Sequence, residues 1–80
     1  MPPAELLTCL LRRPFEPFRI VLSDGTSYEI RHPDMVIVGV ASVHIGFPNE
    51  SGLATRIDIV AIRHIVRLEE IQGAETSTNG

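Results

Sequence analysis

The sequence contains no lysine; all seven basic side chains are arginine. Arginine's planar fork suits carboxylate and phosphate, although an all-arginine set is also what a GC-rich genome produces. Cysteine is almost as scarce. Cys9 stands alone, so no disulfide framework can form within the chain and nothing points to an oxidising compartment. No apolar run approaches the roughly 20 residues that span a bilayer. Near the N-terminus, Leu6, Leu7, Leu10 and Leu11 follow Glu5 and precede Arg12-Arg13, which reverses the charge order of a secretory signal. The six glycines are scattered singly, so there is no phosphate-cradling loop. Together these absences exclude a disulfide scaffold, a helical membrane span and a P-loop enzyme. The expected compartment is the cytoplasm, with no membrane partner and no cofactor.

What is present is ordinary globular material: 44% apolar and 21% charged residues in a chain of 80. This predicts one small domain over 1–71 and a polar, disordered tail over 72–80. A core of this size leaves a thin stability margin, which self-assembly or a partner can supplement. The formal net charge of −3 argues against a protein wrapped over its whole surface in nucleic acid.

Pro2 to Arg13 predicts a short helix. Proline suits its first turn, the four leucines form an apolar stripe, Arg12 and Arg13 complement the dipole of the last turn, and Pro14 ends it. Phe18 to Leu22 alternates, with Phe18, Ile20 and Leu22 on one face and Arg19 and Val21 on the other. Thr26 to Arg31 alternates again. A three-residue loop, Ser23-Asp24-Gly25, pairs Phe18 with Ile30, Ile20 with Tyr28 and Leu22 with Thr26, and places Gly25 at the left-handed position. His32-Pro33-Asp34 bends the chain. Met35 to Val40 is a continuous apolar run that reads as a buried strand, with a bend or bulge at Gly39. Ser42 to Phe47 points Val43, Ile45 and Phe47 inward and His44 outward. Pro48 to Thr55 reads as a mobile loop. Arg56 to Ile62 is a strand whose Ile57 and Ile59 share a face. The phase slips at Arg63-His64, which implies a short turn before a last strand from Ile65 to Glu69. A helix followed by five or six closely spaced strands favours a mainly β fold, a small antiparallel barrel or an orthogonal sandwich.

Two resemblances follow from these segments. Pro14-Phe15-Glu16-Pro17-Phe18-Arg19, Leu22-Ser23-Asp24-Gly25 and Tyr28-Glu29-Ile30-Arg31-His32-Pro33 resemble a group of short, uncharacterised bacterial proteins with no known activity. The element order, with Asp24-Gly25 after the first strand and Ile62-Arg63-His64-Ile65 before the last, resembles the Sm-like (SH3-like) barrel. In the bacterial RNA-chaperone branch of that family a basic residue followed by histidine at the latter place contributes to RNA binding. The resemblance implies that role for Arg63 and His64, and it implies ring formation by strand-to-strand contacts.

The candidate site residues are therefore Arg31, His32, Arg63 and His64, a basic set able to bind phosphate and stack a base if the surfaces meet. The alternative is a solvated face whose arginines pair with Glu16, Glu29, Asp58 and Glu69. The three histidines with Asp34 lack the spacing of a metal-ligand motif. Cys9 among leucines reads as a small hydrophobe rather than a nucleophile. Asp24 is explained by turn chemistry, and Phe18, Tyr28 and Phe47 are best used as core. No catalytic constellation is found, so the chain is expected not to be an enzyme. The leading reading is a structural or protein-interaction module that forms homo-oligomers or docks on an unidentified protein. The alternatives are an RNA-binding Sm-like module and a barrel that binds a small ligand or metal.

Overall fold

A computed structural model describes residues 2–71; the tail expected at 72–80 lies outside them. Helix α1 (Pro3–Leu11) precedes six strands: β1 (Phe18–Leu22), β2 (Ser27–Ile30), β3 (Val36–Val38), β4 (Ser42–Pro48), β5 (Ala54–Ala61) and β6 (Ile65–Glu70). They form two antiparallel three-stranded sheets, ordered β2-β1-β6 and β3-β4-β5. Two single-turn 3-10 corners, Pro33–Met35 and Ile62–His64, carry the chain from one sheet to the other.

The predicted first hairpin is present. Phe18 pairs with Ile30, Ile20 with Tyr28 and Val21 with Ser27. The Leu22 N–H donates to the Thr26 carbonyl at 2.8 Å and the Gly25 N–H to the Leu22 carbonyl at 3.0 Å. Gly25 has φ of 91°, a conformation that costs glycine least. The Asp24 carboxylate accepts the Thr26 N–H at 2.9 Å, which is the turn chemistry expected of it.

The barrel expectation is met only in its coarser part, a mainly β fold with one N-terminal helix. The two sheets share no ladder, so no closed barrel is found among the described residues. At the first corner the Met35 N–H donates locally to the His32 carbonyl at 3.1 Å, and at the second the Ile62 N–H donates to the Ala41 carbonyl at 2.9 Å, extending the β4–β5 pairing within its own sheet rather than joining the two sheets.

Four local expectations are corrected. First, only Leu6 and Leu10 of the leucine stripe are buried, while Leu7 and Leu11 are exposed. Positions four apart point almost the same way and their neighbours about 100° away, and only one row reaches the core. Second, the helix ends at Leu11, so Arg12 and Arg13 lie beyond its last turn. Arg13 still donates to the Leu10 carbonyl at 3.2 Å, satisfying an acceptor near the helix end. Third, the run from Met35 to Val40 is not a continuous buried strand. Val36 is buried but Ile37 and Val40 are exposed, because β3 is an edge of its sheet with one face open. Fourth, the loop expected from Pro48 to Thr55 is present but shorter, covering residues 49–53. β4 and β5 pair as far as Pro48 and Ala54. The tip is closed by Asn49, whose side-chain oxygen accepts the N–H groups of Ser51 and Leu53.

The core lies between the sheets. Phe18, Ile20, Ile30 and Ile65 face Val36, Val43, Ile45 and Val60, with Ile62 at a corner and Leu6 and Leu10 from the helix. Tyr28, Phe47 and Cys9 pack against this cluster while remaining half-buried.

Candidate functional site

The four basic residues expected to form a site occupy the two corners. Arg31-His32 precedes Pro33–Met35, and Arg63-His64 lies within Ile62–His64. Register decides whether they meet. The Ile30 end of β2 lies beside Phe18, and so does Glu70 of β6. Ile65, which follows His64, lies at the other end of β1 beside Leu22. The two pairs therefore sit at opposite ends of one sheet, separated along β1 by roughly 13 Å at the usual strand rise. The structure does not bring them together.

Their surroundings differ as well. The Arg31 guanidinium donates to Glu29 at 3.1 Å. Arg63 makes no hydrogen bond or ion pair among the described residues. At that corner the Ser23 N–H donates to the His64 carbonyl at 2.8 Å, tying the turn to the first hairpin. Ser23, Asp24, Thr26, Tyr28 and His64 line a cleft of about 370 Å³ between the sheets, within the usual size range of ligand pockets. The Asp24 carboxyl is held below its ordinary value by the Thr26 N–H, with a smaller contribution from His64.

Most arginines are committed to carboxylates. Arg12 pairs with Glu16 at 2.9 Å, Arg56 with Asp58 at 3.0 Å and Arg67 with Glu69. Arg19 sits between Glu29 at 3.2 Å and Glu69 at 3.1 Å. This row runs straight across the three strands, because Arg19 opposes Glu29 on β2 and Glu69 on β6. Both glutamates are held below their ordinary values, Glu29 chiefly by Arg19 and Glu69 chiefly by Arg67. The expected arginine–carboxylate pairing is thus observed for Arg19, Arg31 and Arg67 with Glu29 and Glu69, but among the described residues not for Arg63.

A second cluster clasps the two sheets. The Tyr28 hydroxyl of β2 donates to the Asp58 carboxylate of β5 at 2.8 Å. The Arg56 guanidinium bonds the same carboxylate and lies 4.3 Å above the Phe47 ring, a cation–π geometry. Partial burial, then the bond to Asp58, raises the Tyr28 hydroxyl above its ordinary value. Asp58 faces inward because its partner, Ile45, does.

The opposite face of this sheet is unlike any other surface of the chain. His44 opposes Ile37 on one side and Ile59 on the other, and the next outward position, Gly46, opposes Ile57. Ile37, Ile57 and Ile59 are 70%, 60% and 67% exposed. An open antiparallel sheet ordinarily presents polar residues to water. Here the outward positions Ser42, His44, Gly46, Ile37, Ile57 and Ile59 include no aspartate, glutamate or arginine. Sequence reasoning noted that Ile57 and Ile59 share a face but did not assign that face to the outside. The sequence pattern points the other way: the inner phase of β5 carries Arg56 and Asp58 beside Val60, while Ile57 and Ile59 form its more apolar phase.

Among the described residues no group of three histidine, cysteine or carboxylate side chains could hold a metal ion. None of the described helices is long and apolar enough to cross a membrane. Comparison with protein-family models, with curated proteins and with solved structures yields no match to this chain.

Proposed function

We propose that this chain is a non-enzymatic interaction module that assembles with copies of itself through the outer face of β3-β4-β5. The observation that carries the reading is the cluster of Ile37, Ile57 and Ile59, each more than half exposed on a sheet face with no carboxylate or arginine. In architectural terms the chain is read as an open form of a small Sm-like or SH3-like barrel, working in the cytoplasm.

Two features favour a second copy as the occupant. A face without carboxylate or arginine offers a differently charged partner nothing to read, and it carries no like-charge penalty when turned on itself. Gly46 adds a hollow. A Cβ there would meet the Met35 carbonyl oxygen at 3.8 Å and the Ala54 Cβ at 3.9 Å, ordinary contact distances. The chain's own packing therefore does not require glycine. The bare backbone leaves room beside Ile57 for an isoleucine of another copy. A knob and a hole on one surface are what a two-fold interface needs.

Completing the burial of each isoleucine contributes about 1–2 kcal/mol. Over two copies this gives about 6–12 kcal/mol, set against an association cost of roughly 4–15 kcal/mol, so the dimer expected is weak, with a dissociation constant on the order of 1 mM. Light scattering across a dilution series from about 1 mM to about 10 μM tests it. The unmodified chain is expected to move from an average mass between monomer and dimer toward monomer on dilution, and Ile59→Glu to be monomeric throughout with unchanged thermal stability. A monomer at the highest concentration refutes the reading.

The RNA-binding alternative draws on the unpaired Arg63 beside the exposed His64. It loses Arg31 and His32, which lie at the far end of the sheet, and it has the Asp24 carboxylate near the would-be phosphate site. It requires salt-sensitive binding of single-stranded RNA at micromolar protein. The small-ligand alternative has the cleft between the sheets and no further support.

A further inference from the structure

We propose that His44 makes this self-association pH-dependent: the interface forms with neutral imidazoles and separates when they are protonated. The inference rests on the interaction face proposed above and adds its regulation.

His44 lies on the central strand of a three-stranded sheet, in line with Ile37 on one side and Ile59 on the other. It is half-buried, and its imidazole makes no hydrogen bond or ion pair within the described residues. Its own-strand neighbours on the same face are Ser42 and Gly46. The positions that β3 and β5 turn toward it are isoleucines, and Arg56 and Asp58 of β5 are engaged with Phe47 and Tyr28 on the other side. At the Gly46 end, Asp34 of the first corner and Glu50 of the β4–β5 turn line a cleft that includes Gly46 itself, and Ile59 borders the cleft of Asp24 and His64. Among the described residues no carboxylate is paired with the His44 imidazole, and none occupies the cross-strand positions beside it.

In a two-fold interface, residues near the axis meet their own copies. A central His44 would then lie close to the His44 of the other copy. Two neutral imidazoles can share an N–H to N hydrogen bond in that setting. Two imidazolium ions would be stripped of water and set against each other, and both effects oppose the charged form. Histidine changes charge between pH 5 and 8, so association should be strongest at the upper end of that window and lost toward the lower.

Sedimentation equilibrium at pH 8.0 and 5.5, with far-UV circular dichroism at each pH to confirm folding, tests this. The dissociation constant of the unmodified chain is expected to weaken at least tenfold at the lower pH. His44→Gln and His44→Phe should associate equally at both, while His32→Gln and His64→Gln should keep the full dependence. An unmodified chain that associates equally at both pH values overturns the switch and leaves self-association standing. A pH dependence that survives in His44→Gln and His44→Phe also overturns it. Absence of association at pH 8.0 defeats the interaction face itself, and the switch with it.

Discussion

The two sheets are built alike and finished oppositely. Each has three antiparallel strands, an inner face built chiefly on aliphatic and aromatic residues, and a straight outer row of three residues centred on the middle strand. In β2-β1-β6 that row is Glu29–Arg19–Glu69. In β3-β4-β5 it is Ile37–His44–Ile59. The first satisfies its own charges and keeps water as its partner. The second leaves apolar surface in water and has at its centre one group whose charge can be changed. The charged sheet presents paired arginines and glutamates to water, and the other presents the apolar face proposed above as the interaction surface. Cross-strand registry makes the contrast sharp, because side chains directly opposite one another interact as a unit.

The largest expected effect separates the inner face from the outer one on the same sheet. Ile45→Ala removes a fully buried side chain and should destabilise the fold by about 2–5 kcal/mol. Ile59→Ala should stay within about 0.5 kcal/mol. Urea unfolding at a concentration where the chain is monomeric measures both. Equal losses at the two sites would mean that the outer isoleucine is not truly exposed, and the contrast between faces would collapse.

A smaller effect probes how the sheets are joined. Tyr28→Phe keeps the ring against Phe47 but removes the hydroxyl that donates to Asp58. A loss of about 1 kcal/mol is expected, with the Asp58→Asn change adding little once the hydroxyl is gone. Independent, additive losses in a double-mutant cycle would show that the hydroxyl and the carboxylate do not act together.

The smallest effect belongs to the charged row. Glu29 and Glu69 have carboxyls held below their ordinary values by arginine, so the folded state binds protons less readily than the unfolded chain. Their stabilisation is fully present above the ordinary glutamate range, near pH 4.3, and is lost as pH falls through the depressed values. Because the row is solvent-exposed, added salt should shrink it. Thermal unfolding from pH 6 to 2.5 should show a shallow decline that Arg19→Met reduces. A curve unchanged by Arg19→Met would remove the row from the account of stability.

Much of the fold was legible because its causes are local. The alternation from Phe18 to Leu22 and from Ser42 to Phe47 reports strand phase within a few residues. The length of Ser23-Asp24-Gly25 sets the hairpin register, and the left-handed glycine confirms it. The phase slip at Arg63-His64 marks the 3-10 corner directly. Pairing of arginines with Glu29 and Glu69 was expected from their residue types, and the cross-strand register of Arg19 supplies the geometry. The candidate site was legible only as residue types. Whether Arg31-His32 and Arg63-His64 share a surface depends on which ends of β2 and β6 flank β1, and that is a non-local pairing.

By itself, then, the sequence determined where strands begin and turn, that Arg19 faces out beside Ile20 facing in, and that no disulfide or phosphate loop is available. The tertiary structure alone decided which row of leucines on α1 docks, and which phase of the all-apolar run Met35–Val40 and of the mixed strand Arg56–Ile62 turns to water. The reason is that hydrophobic burial has no direction of its own. When both phases of a strand are apolar, as from Met35 to Val40, only the partners it meets choose the inside: Ile45 and Val43 on β4 chose Val36 and Val38 over Ile37, and on β5 the inner phase of Val60 also carries Asp58, whose carboxylate accepts the Tyr28 hydroxyl.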